Sequence, residues 1–114
     1  MFFYEGIMIN EKVIYKICSQ DEWNKAKKSG IYQGSKDDQR DSFIHFSTKG
    51  QVDGTLTKHF KDKNDLLLLE ISVDKLPSDI LKWEVSRNGE KFPHLYDDLN
   101  LEAVIKETEI PNNR

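Results

Sequence analysis

A single cysteine, Cys18, excludes an intramolecular disulfide and any zinc site built on cysteine pairs. Its expected role is that of a small buried hydrophobe at a strand end. Long apolar runs are missing as well. The longest unbroken aliphatic stretch, Leu66 to Leu69, falls far short of the roughly 20 residues that span a bilayer. Glu5 stands where an export signal would carry lysine ahead of a long apolar segment, so no export signal is expected and cytoplasmic residence follows. Basic excess is also lacking: 17 Lys and Arg face 20 Asp and Glu, for a net charge of −3. Lys27-Lys28, Lys58, Lys61 and Lys63 are interleaved with acids. Long nucleic acid, which is gripped by a basic stripe through counterion release, is therefore not an expected partner, whereas a small molecule or short nucleotide is. The P-loop, GxGxxG and HExxH patterns are absent. Ser35 and Ser47 have no nucleophile-elbow context. The three histidines show no helical i, i+4 spacing, so no metal is expected.

What is present fits one small domain, since 114 residues can bury a core but not two. Residues 1–10 have no clear period and read as a flexible leader or an edge strand. Residues 11–108 read as one α+β domain and 109–114 as a polar tail. Val13 to Ile17 is a strand by β-branched and aromatic content. Ser19 with Glu22 makes a capping box for a short helix that ends at Gly30. Gly34 to Ser42 is polar throughout and reads as a loop. In Phe43 to Thr48, alternation puts Phe43, His45 and Ser47 on one strand face and Ile44 and Phe46 on the other. Val52, Leu56 and Phe60 at four-residue spacing suggest a second helix. Leu66 to Val73 has the two-sided apolar character of a central strand. Leu81 to Val85 is a further strand, Asn88-Gly89 a hairpin turn leading to Lys91-Phe92, and Ala103 to Lys106 the last strand. The expected architecture is one mixed, mainly antiparallel sheet with two short helices.

Four places could carry chemistry. FIHFST (Phe43 to Thr48), KHF (Lys58 to Phe60) and FPHLY (Phe92 to Tyr96) each set a histidine among aromatic or apolar neighbours, and Trp83-Glu84 sets a carboxylate beside an indole. Desolvation by such neighbours tunes a general acid or base. Plainer readings stand beside these. His59 is equally a half-buried histidine satisfied by a carbonyl, Glu84 a solvated group or a partner of a lysine across the hairpin, and FPHLY a rigid turn that plugs the core. His45 is the sharper candidate, because its strand face also carries the Ser47 hydroxyl.

Taken in order, IYKI, the Trp and Ala of the helix, GIYQGS, FIHFST, HF, LLLLEISVDKL, LKWE and FPHLY resemble the bacterial domain-of-unknown-function family 952, over about Val13 to Val104. That family is grouped with the ADP-ribosyltransferase-like superfamily, which includes the RNA 2′-phosphotransferases. The resemblance implies an ADP-ribosyltransferase-like fold and a cleft for an NAD- or ADP-ribose-like ligand, with no covalently bound cofactor. By it, His45 and Ser47 lie in the cleft; with a nucleotide-type ligand there, His59, Tyr96 and Trp83 are the further binding candidates and His94 and Glu84 the candidates for proton transfer. Where the superfamily's transferases carry a histidine in their first strand, Tyr15-Lys16-Ile17 has a lysine. Two functions remain open: a nucleotide-type ligand cleft with transferase or hydrolase activity, and a non-catalytic metabolite- or peptide-binding module that keeps the fold.

Overall fold

The structure, a computed structural model, describes residues 11–86 and 89–114 in full and the backbone of residues 2–4 and 7–9. Strands β1 (Phe2–Tyr4) and β2 (Ile7–Ile9) pair with each other antiparallel. Strand β3 (Val13–Ser19) follows and runs directly into helix α1 (Gln20–Ser29). Ser19 is both the last strand residue and the N-cap, its hydroxyl oxygen accepting the Glu22 N–H at 3.0 Å. Trp23 and Ala26 are the residues that α1 buries, and the Gly30 N–H closes the last turn on the Ala26 carbonyl. Strand β4 (Ile31–Tyr32) comes next.

The loop expected over Gly34 to Ser42 contains a helix, α2 (Lys36–Asp41). Its cause is a capping box: the Ser35 hydroxyl accepts the Asp38 N–H, and the Asp38 carboxylate accepts the Ser35 N–H. The residue that α2 buries is Asp38, so apolar periodicity offers nothing to detect. Strand β5 (Ile44–His45) and a 3-10 turn at Lys49–Gln51 lead to α3 (Val52–His59). The described residues thus hold three α-helices rather than two. The remaining strands are β6 (Leu66–Ser72), β7 (Leu81–Val85), β8 (Lys91–Leu95), β9 (Leu99–Asn100) and β10 (Val104–Ile110). This is an α+β arrangement.

The single mixed sheet is also corrected. Strands form separate ladders, and every pairing among the described residues is antiparallel. The apolar run β6 lies between β3 and β10, β8 lies between β5 and β7, and β4 pairs with β9. Two ladders meet at residues 44–47. Ile44 and His45 pair with Leu95 and His94 of β8, and the Phe46 N–H donates to the Pro93 carbonyl. Ser47 then turns to β3, exchanging two backbone hydrogen bonds of 2.8 Å with Tyr15. Ile44 and Phe46 enter a core that also holds Ile14, Trp23, Leu69, Ile71, Trp83, Leu95 and Leu99, where each large side chain removed from water contributes about 1.5–3 kcal/mol.

In the β7–β8 hairpin Trp83 lies opposite Pro93, and the Ser86 N–H donates to the Glu90 carbonyl at 2.8 Å. Gly89 has φ +74°, a left-handed conformation that favours glycine; Asn88 lies outside the described residues. No helix among the described residues is long and apolar enough to cross a membrane.

Candidate functional site

Alternation along β3 turns Ile14, Lys16 and Cys18 to the buried side, so a lysine stands in an otherwise apolar row. An ammonium taken out of water needs a partner, because its desolvation costs several kcal/mol. The partner is Asp38. Lys16 Nζ donates to Asp38 Oδ2 at 2.7 Å and to the His45 carbonyl at 2.9 Å. The other carboxylate oxygen, Oδ1, accepts the His45 backbone N–H at 3.1 Å and faces His45 Nδ1 at 2.6 Å. With the Ser35 N–H, one buried carboxylate therefore meets four donors. Gly34 permits this approach. It has φ +95°, and a Cβ there would come within 2.6 Å of Asp38 Cβ.

A second pair forms on the β5–β8–β7 ladder. His94 of β8 lies opposite His45 on one side and Lys82 on the other, and Glu84 stands two residues along β7 on the same face. His94 Nδ1 is 2.9 Å from Glu84 Oε1, which also accepts the Tyr96 hydroxyl at 2.6 Å. Glu84 is thus paired with a histidine and a tyrosine. Phe43 packs over this face, its ring centroid 4.5 Å from His45, 4.2 Å from His94 and 5.1 Å from Tyr96. The two imidazole centroids are 5.3 Å apart.

A cavity of about 270 Å³ opens between β3, α2, the 44–47 crossover, α3 and β8. His45, Ser47, His59 and His94 all line it. Ser47 Oγ lies 3.0 Å from Thr55 Oγ1, and His59 is an exposed residue at the end of α3. Trp83 does not reach the cavity: alternation on β7 turns it into the core, away from Glu84. Glu84 and Tyr96 stand behind His94 rather than on the cavity wall. Lys16, Asp38, Arg40 and Asp41 line the cavity and were not marked by the sequence motifs. Two signals point to the first two: a lysine on the buried face of a strand, and the S-x-x-D capping pattern of Ser35 and Asp38.

The family model described as a protein of unknown function, DUF952, matches residues 17–107. The chain belongs to this family. It is similar to protein CC0527 from Caulobacter crescentus, whose X-ray structure is 41% identical, covers 87% of this chain and 86% of that one, and has a TM-score of 0.83. The solution NMR structure of CC0527 is 42% identical over 86% of this chain and 84% of that one, with a TM-score of 0.76. No curated protein matches.

In this DUF952 chain the two pairs differ electrostatically. Burial opposes charge on Asp38, but hydrogen bonds from His45 and Lys16 and the lysine charge outweigh it and hold the carboxyl well below its usual range. His94 is lowered, chiefly by burial, against the pull of its Glu84 hydrogen bond. Glu84 is lowered first by the Tyr96 hydrogen bond, and the same bond pushes the Tyr96 phenol up to about 12. Burial also pushes the Cys18 thiol up to about 12, which keeps it a protonated, unreactive core group. Two carboxylate-oriented imidazoles beside one cavity can accept and donate protons across a single bound group.

Proposed function

We propose that the cavity binds a nucleotide-type ligand of the NAD or ADP-ribose class, and that His45 and His94 exchange protons with it in a transfer or hydrolysis reaction. One observation carries this reading: two imidazoles, each held through Nδ1 by a carboxylate, stand 5.3 Å apart on the wall of one cavity. His45, the more open of the two, contacts the ligand's ribose or phosphate, with Ser47 assisting. His94, lowered by burial, is the base that is neutral near pH 7. Glu84 orients His94 and stabilises its charged form. A volume of about 270 Å³ suits a ribose with its phosphates better than a whole dinucleotide. Phe60 and Phe92 on the wall offer surfaces for a planar ring. The likeness of FIHFST to the histidine-bearing strand of the phosphotransferases supports the same placement, and an ADP-ribosyltransferase-like ancestry with it.

Thermal shift against NAD, ADP-ribose and AMP tests the reading, with chromatography of the incubated ligands. A ligand at a hundredfold excess over its Kd stabilises the native state by about 2.7 kcal/mol. His45→Ala is expected to abolish that shift, whereas His94→Ala keeps binding and loses turnover. If none of the three ligands raises the melting midpoint, the nucleotide reading fails and the non-catalytic binding module replaces it.

A further inference from the structure

We propose that the Asp41 carboxylate occupies, in the unliganded protein, the subsite for a phosphate group of the ligand, which displaces it and is then held by His45 Nε2 and Arg40. The inference rests on the cavity reading above and adds to it the chemistry of one subsite.

Asp41 closes α2, and its two oxygens are divided between two donors. Oδ2 lies 3.2 Å from His45 Nε2, and Oδ1 accepts from Arg40 Nε at 3.3 Å. Asp41, His45 and Arg40 all line the cavity. A phosphate presents the same pair of acceptor oxygens, and its charge strengthens hydrogen bonds from both donors.

The two aspartates that flank His45 are anchored very differently. Asp38 is buried under four donors and fixes Nδ1. Asp41 has a side chain 36% exposed, and its Arg40 partner is 69% exposed. Exposed ion pairs of this kind are weak, so Asp41 can leave at small cost while Asp38 cannot. His45 is then a ring with one nitrogen held permanently and the other exchangeable. Asp37 provides an internal comparison: it lines the same wall, carries the same charge, and pairs with Arg40 through Nη1 at 3.1 Å.

The test follows the His45 ring nitrogens by ¹⁵N NMR while inorganic phosphate is titrated into the wild type, Asp41→Asn and Asp37→Asn. Asp41→Asn should reach half-saturation at about three- to ten-fold lower phosphate than the wild type, and Asp37→Asn at no more than about two-fold lower. Adding Arg40→Gln to Asp41→Asn should return the midpoint towards the wild-type value. Equal gains in Asp41→Asn and Asp37→Asn would mean that charge removal alone acts, and would overturn the proposal. So would an Nε2 signal that phosphate leaves unmoved in both proteins. The nucleotide reading is judged separately, by the ADP-ribose thermal shift. A phosphate response without ADP-ribose stabilisation keeps the subsite and removes that reading; the reverse result keeps the cavity ligand and removes the subsite.

Discussion

Of the two histidine–carboxylate pairs made through Nδ1, one buries its carboxylate and opens its imidazole, with side-chain exposures of 2% for Asp38 and 38% for His45. The other reverses the arrangement, with 8% for His94 and 37% for Glu84. A buried carboxylate must be compensated inside the protein, and Lys16 does this from the core face of β3. A carboxylate left in solvent needs no such cation and shares a tyrosine hydroxyl instead. The same residue pairing therefore yields two different tools. One is a firmly oriented ring that a ligand can approach; the other is a desolvated ring whose proton affinity is reduced.

The largest test of this contrast is Lys16→Met. It strands a buried carboxylate and should cost about 3–5 kcal/mol in urea denaturation. Glu84→Gln, at the solvent-facing pair, should cost under about 1 kcal/mol. Similar losses in the two variants would erase the distinction. Gly34→Ala should follow at about 2 kcal/mol or more, since its methyl group would meet Asp38 and its backbone would be held at φ +95°. A melting temperature unchanged in Gly34→Ala would show that Asp38 is free to move.

Acid should separate His94 from the two lowered carboxyls, Asp38 and Glu84, by pH. His94 and Asp38 are both lowered in the folded state, so the unfolded chain binds more protons and each contribution is lost as pH falls. For His94 the contribution is complete above its ordinary value of 6.5 and declines below it. For Asp38 it is complete above 3.8 and declines only in stronger acid. Removing His94 as His94→Gln should flatten the upper step and leave the lower one; persistence of the upper step would assign it to another group. The smallest effect is spectroscopic. The Tyr96 phenol, at about 12 in the wild type, should move towards 10 in Glu84→Gln, as read by ultraviolet titration.

Elements carried by apolar pattern were legible from the residues alone. Leu66 to Val73 declared a central strand because both faces are apolar at its start, and Ser19 with Glu22 declared a helix start. Helix α2 was not legible by the same means, because its inward residue is Asp38 and no hydrophobic period marks it. Alternation in FIHFST separated Ile44 and Phe46 from His45 and Ser47. It could not reveal that Glu84 meets His94, since that contact depends on the register between β7 and β8. The Lys16–Asp38 pair joins residues 22 apart in the chain and becomes visible only once β3 and α2 are packed. Trp83 looked like a wall for a ligand because of its composition. Its strand parity turns it into the core.

The crossover at residues 44–47 has a consequence for how the molecule opens. Four successive residues are tied first to β8 and then to β3, and the backbone part of the second tie is a two-bond bridge between Ser47 and Tyr15, beside the Lys16 Nζ bond to the His45 carbonyl. A short bridge of this kind can release without unravelling either ladder, so amide exchange at the bridge reports on the cavity wall. A molecule gripping both His45 and Ser47 would hold that bridge closed. It would slow amide hydrogen exchange at Tyr15 and Ser47, far along the chain from His94.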